Sequence, residues 1–276
     1  MILIQKQKLT KPISNQVISL FMGEVDSKTG IWFPIKKMIW KEKQGNSYLD
    51  CSIHFIKGAQ IYQSLYPERK NLFVPKDLKR IMKYEDILSC PWRNRMPVAR
   101  PLEKELKMNL GFDSDASVDP VEFVARDGGY RNGDLCDIFP EVAPDEQGNY
   151  NFVFRGIDTW VMCSDNKPEL ETIPVGTKVR IQPLNKEKIA PGEWEKPIIE
   201  LPPETIRMKM YVEDRMVGYA PHYIQELHRQ FNEQLRIEIF QVNSKVPFEY
   251  QFLFLASVNQ EAGIPYSEPK FQLLAR

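Results

Sequence analysis

The chain has 276 residues, 37 Lys+Arg against 37 Asp+Glu, 42% hydrophobic and 11% aromatic residues, enough apolar material to build real cores and too much for wholesale disorder. No apolar run reaches the length of a membrane span. Met1–Ile4 is too short for a signal-peptide core, with Lys6, Lys8 and Lys11 after it rather than before it, so a cytoplasmic protein without membrane contact is expected.

The charge is unevenly placed. Residues 1–107 hold 20 basic and 10 acidic side chains, residues 108–146 hold 2 and 10, and residues 147–276 hold 15 and 17. A basic first third suits a polyanionic partner; equally, the basic and acidic blocks could face each other within one fold. Cys51, Cys90, Cys136 and Cys163 are widely spread and form no C-x-x-C pair, and His54, His222 and His228 sit at no ligand spacing with them. Reduced thiols and no metal or other cofactor are therefore expected.

Residues 1–60 read as β-rich. Val17–Met22 is a buried-strand pattern, Asp26–Gly30 is turn chemistry, Ile31–Pro34 opens a second strand, and Ile35–Trp40 is short and basic. After a turn at Gln44–Ser47, Tyr48–Phe55 alternates as a strand, giving a small antiparallel sheet. Residues 60–110 mix loop and helix, with helical patterns beginning at Asp77–Met82 and running over Pro101–Leu110, where Leu102, Leu106 and Leu110 share a face. Between them, Trp92, Arg93 and Arg95 combine an indole with guanidinium groups, a pairing that suits phosphate contact and base stacking. The bland alternative is a surface loop anchored by Trp92.

In the acidic segment, Asp119 caps a short helix over Pro120–Arg126, and a glycine-rich loop leads into the strand Leu135–Pro140. That loop has no lysine, so it is not a nucleotide loop. Asp113, Asp115 and Asp119 lack the central glycine and terminal glutamate of a calcium loop. Pro144–Asn149 is the most linker-like stretch, which divides the chain into 1–143 and 150–276.

In the second part, Met208, Met210 and Val212 alternate with Lys209 and Tyr211, Glu213–Asp214 breaks the strand, and Met216–Tyr219 resumes it. Pro221 can then open a helix over about residues 221 to 234, followed by strands at Leu235–Asn243 and Tyr250–Ala256. No G-x-S-x-G, H-E-x-x-H or phosphate-binding loop occurs, so an enzyme is the least supported class and no catalytic residue is assigned.

The strand–Gly218–Tyr219–Ala220–Pro221–helix order, preceded by Val153–Ile157 and Ile173–Ile181, resembles the HIRAN domain over roughly residues 150–276. The run Asp119–Glu141 followed by a polar linker resembles bacterial HIRAN-domain-containing proteins more loosely. Residues 1–60 are loosely similar to the N-terminal β-subdomain of HipA-like proteins, without kinase residues. The resemblance implies an α+β chain: a small antiparallel sheet with helices, then an OB-like β-barrel with one or two helices.

It also implies a non-catalytic module that grips single-stranded DNA or DNA ends, with Arg155, Trp160, Asn185, Tyr219, His222 and Tyr223 at the contact and Trp92, Arg93 and Arg95 assisting. The match is imperfect. Asp158 stands where the family carries arginine, Thr159 replaces a tyrosine, and a proline-rich insert follows Asn185. Those departures keep a second expectation open, a protein-interaction or scaffold subunit with a degenerate HIRAN domain.

Overall fold

The computed structural model describes residues 17–26, 31–43, 47–67, 78, 82–83, 104, 107, 110, 120–127, 136–156, 172–182, 208–243 and 251–274. They form an α+β fold made mostly of strands in small antiparallel sheets with few helices.

Apolar residues at every other position of β1 (Val17–Val25) send Ile18, Leu20 and Met22 to one face and Phe21 and Val25 to the other. β1 therefore sits inside a five-stranded sheet, ordered β4 (Met82–Lys83), β3 (Ser47–Phe55), β2 (Trp32–Lys43), β1 and β5 (Cys136–Pro140). Every neighbouring pair is antiparallel. Trp32–Lys43 forms one long strand where the sequence suggested a strand and a separate basic segment, because it pairs with β1 on one side and β3 on the other. Met82 lies in a strand rather than a helix, paired with Ile53.

The first face of this sheet is covered by α2 (Pro120–Asp127), whose Val121, Val124 and Ala125 pack with Leu20, Met38, Trp40 and Ile138. Cys51 and Cys136 are buried in the same cluster. At the sheet edge, α1 (Lys57–Leu65) places Ala59 and Tyr62 against Phe33, Ile35 and Phe55. Gly58 is required there: a Cβ would fall 1.9 Å from the Pro34 carbonyl oxygen.

The second half contributes β6 (Asn149–Phe154), β7 (Arg180–Gln182), β8 (Lys209–Val212), β9 (Arg215–Tyr219), α3 (His222–Phe231), β10 (Arg236–Val242) and β11 (Phe252–Asn259). The strands run β10-β11-β6 and β7-β8-β9. The bridge Lys178–Glu238 and backbone bonds from Val179 to Ile237 and from Ile239 to Thr177 join the two sets through β7 and β10. Among the described residues these sheets are open and do not close into a barrel.

The core runs straight across the linker-like segment. Phe21, Trp32 and Phe139 of the first sheet share one apolar cluster with Phe152, Tyr223, Leu227, Tyr266 and Phe271. At its centre the Phe139 and Tyr223 rings stack with centroids 4.7 Å apart and planes 2° apart. The C-terminal segment then returns to the first half, where Lys57 N–H donates to the Gln272 carbonyl at 2.9 Å and Leu274 N–H to the Phe55 carbonyl at 3.3 Å.

The segment 144–149 is itself a tight turn: the Asp145 carboxylate accepts from Gln147 N–H, Asn149 N–H and the Asn151 amide. Slight burial pushes its pKa up, and these donors more than offset that, holding it below the ordinary carboxylate value.

α3 ends at Asn232 with φ 46° and ψ −116°, a conformation natural to glycine and strained for a side-chain-bearing residue. The Asn232 side chain is exposed. Asn232→Gly is therefore expected to raise stability by about 1 kcal/mol, read as a shift of the urea midpoint at unchanged slope.

Candidate nucleic-acid interface

The step from β9 into α3 was the expected contact surface, and the structure assigns its aromatic rings elsewhere. Gly218 has φ 128° and sits within β9 at the irregularity where the β8–β9 register skips Val217. α3 is amphipathic and buries Tyr223, Ile224, Leu227 and Phe231. Tyr219 is 0% and Tyr223 1% exposed. One face of the Tyr223 ring is taken by Phe139, and the Tyr223 carbonyl accepts from the Tyr266 hydroxyl at 3.1 Å. Burial holds the Tyr266 phenol well above its ordinary pKa, with Tyr223, Glu226 and Asp137 adding to the effect, so it remains a donor. Neither Tyr219 nor Tyr223 offers a ring face to a base. The same tyrosine spacing serves core packing here, because α3 turns Tyr223, Ile224, Leu227 and Phe231 into the shared core.

His222 is also buried. It is 9% exposed, and its Nδ1 lies 3.3 Å from Oδ2 of Asp137, itself 1% exposed. The pair ties α3 to β5, so His222 serves the junction between the two halves. Nearby, Glu226 pairs with Arg229 at 2.9 Å and with Lys270. Arg155 is half-buried just beyond β6. Trp92, Arg93, Arg95, Trp160 and Asn185 lie outside the described residues.

A different surface gathers the chemistry that nucleic acid requires. In β7 the burial pattern is exposed, buried, exposed, so Arg180 and Gln182 face outward with Lys178 two residues before. Arg180 pairs across the sheet with Tyr211, and Gln182 with Lys209. On the other side Lys178 meets Glu238 in an isolated bridge, and Arg236 lies two residues before Glu238 on the same face of β10. Directly paired residues share a face, so Arg180, Lys209 and Tyr211 lie on one side of β7 and β8, with Lys178 on the same side and its bridge to Glu238 linking that side to the Arg236 face of β10.

Lys178, Arg180 and Arg236 are exposed, and Lys209 and Tyr211 are half-buried. The Arg180 guanidinium stands 5.0 Å from the Tyr211 ring centroid, a cation–π contact that holds both groups in place. Along β7 the side chains of Lys178 and Arg180 repeat at about 6.6 Å, and neighbouring strands lie about 4.8 Å apart.

The signal for this face is present in the sequence as the alternations Lys178-x-Arg180 and Lys209-x-Tyr211 and the outward Arg236. What sequence does not supply is the register that brings three distant segments side by side. Among the described residues no group of three His, Cys, Asp or Glu side chains is placed to hold a metal ion. No described helix is long and apolar enough to cross a membrane. No family model, curated protein or solved structure matches the chain.

Proposed function

We propose that this protein is a non-catalytic module that binds single-stranded nucleic acid on the outer face of β10, β7 and β8, with the second half acting as an OB-like, HIRAN-like unit. The observation that carries this reading is the contact of exposed Arg180 with half-buried Tyr211, with Lys178, Lys209 and Arg236 on the same side. Phosphates would meet the cations, and a base would stack on the Arg180–Tyr211 pair. The role first expected of Tyr219 and Tyr223 passes to Tyr211, which is half-buried where those two are fully buried.

The direct test is fluorescence anisotropy of a labelled 12-nucleotide single strand at rising salt. Engagement of the four cations gives a slope of log K against log salt of about −3, since each phosphate contact to a single strand contributes about −0.7. Absence of salt-sensitive binding at micromolar protein would remove the reading.

A second reading, a protein-interaction or scaffold subunit, is favoured by one specific observation. Ile61 and Leu65 lie one turn apart on α1 and are 44% and 57% exposed, beside the C-terminal segment that carries Leu273 at 43%. Exposed apolar groups of this kind suit contact with another protein. On that reading, binding to nucleic acid is absent and Ile61→Glu/Leu65→Glu abolishes the partner complex.

A further inference from the structure

The junction between the two halves holds an ion pair shut off from water. Nδ1 of His222, at the start of α3, and Oδ2 of Asp137, in β5, are both buried and lie 3.3 Å apart. Phe139, two residues beyond Asp137, stacks on Tyr223, the neighbour of His222, so the pair sits beside the aromatic contact that joins the halves. The charges around it balance without it. Glu226, one turn further along α3, pairs with Arg229 and with Lys270 of the C-terminal segment, and Lys270 also meets Glu268. Two carboxylates there face two cations. On β1 the residue opposite Asp137 is Gly23, which brings no charge, while Glu24 pairs with Cys136 on the other face. Tyr219, Tyr223 and Tyr266 supply phenols, a group that ordinarily ionises only near pH 10. Among these described groups, the charge on Asp137 is left for His222 to balance.

We propose that the His222–Asp137 pair is a proton-dependent latch between the two halves, stronger when both imidazole nitrogens are protonated than when the ring is neutral. With both protons in place the pair is an imidazolium against a carboxylate, and its net charge is zero. With Nε2 bare, Nδ1–H still donates to Asp137, but a net negative charge stays buried at the junction. A contact between two ionised partners is the stronger of the two, and the low dielectric of the junction enlarges the difference. The contribution of the pair is therefore larger in mild acid and smaller at alkaline pH. The latch is independent of what the outer face of β7 and β8 binds.

The test is a double-mutant cycle on the full chain with His222→Gln and Asp137→Asn, each of which keeps a hydrogen-bonding group but cannot carry charge. Urea unfolding at about pH 5 and about pH 8.5, on either side of the ordinary imidazole value, gives the coupling between the two side chains. The expected result is a coupling of about tenfold or more in the folding equilibrium at the lower pH and about threefold or less at the higher. Equal coupling at both would overturn the proton dependence, and no coupling at either would overturn the latch itself. Should a variant fail to fold, nitrogen-15 NMR of the wild-type imidazole decides: Nδ1 should stay protonated at both pH values while Nε2 loses its proton at the higher one. A ring with Nδ1 bare at the higher pH, or with the same protonation at both, would overturn the proposal.

Discussion

Phe139→Ala is expected to destabilise the protein by about 3–5 kcal/mol and to do so for both halves at once. Phe139 is 0% exposed and comes from β5, the strand next to the segment that reads as a linker. Its ring contacts Tyr223 at 4.7 Å, Tyr266 at 4.9 Å, Phe21 at 5.5 Å and Trp32 at 5.9 Å between centroids. Two of these rings belong to the first sheet and two to the second half, so truncation leaves a cavity between them that neither side can fill alone.

Domains of ordinary size are stable by only about 5–15 kcal/mol, which places the variant near its unfolding threshold. Urea unfolding followed by far-ultraviolet circular dichroism and by tryptophan fluorescence should give one coincident transition in the wild type, shifted to lower urea in Phe139→Ala. Phe139→Leu, which keeps most of the volume, should lose less. Two separate transitions in the wild type, with only one moved by the substitution, would show that the halves unfold independently.

The second large effect is on binding. Tyr211→Ala should weaken single-strand affinity by about fivefold to a hundredfold, the range of one lost base–aromatic stack of about 1–3 kcal/mol. Arg180→Ala should reduce the salt slope by about 0.7 as well as lower affinity, because it removes one phosphate contact. The two residues are in direct contact, so the double variant should lose less than the product of the single losses. Tyr211→Phe keeps the ring and should retain most of the affinity. Arg180 is exposed and Tyr211 half-buried on an outer face, so both variants should keep a cooperative fold. Loss of binding in Tyr211→Ala with recovery in Tyr211→Phe separates stacking from any structural role.

Much of the fold is legible in the sequence, and the reason is local. The alternations at Val17–Met22, Tyr48–Phe55 and Met208–Val212 each correspond to an observed strand. The helix opened by Pro120 and the one after Pro221 are where the proline and the apolar spacing put them. Period and capping chemistry are properties of a few neighbouring residues, which is why they can be read without tertiary information.

The site was less legible. Tyr219 and Tyr223 look alike as surface aromatics or core aromatics until one knows what packs above α3, and Phe139, more than eighty residues away, decides it. His222 likewise has the ordinary appearance of a surface histidine and meets Asp137 only through the same long-range packing. Tyr211 was read as a strand residue and not as a candidate contact. Its value comes from pairing with Arg180 across thirty intervening residues, and register between distant strands is not written in either strand alone.

The measurement that tests the binding face most directly is photocrosslinking of a 5-bromouracil-containing single strand to the full chain, followed by mass spectrometry of the modified peptide. The account predicts a crosslink at Tyr211, suppressed by rising salt and absent in Arg180→Ala/Tyr211→Ala. A crosslink confined to Tyr219 or Tyr223, or none with the folded protein, would contradict it.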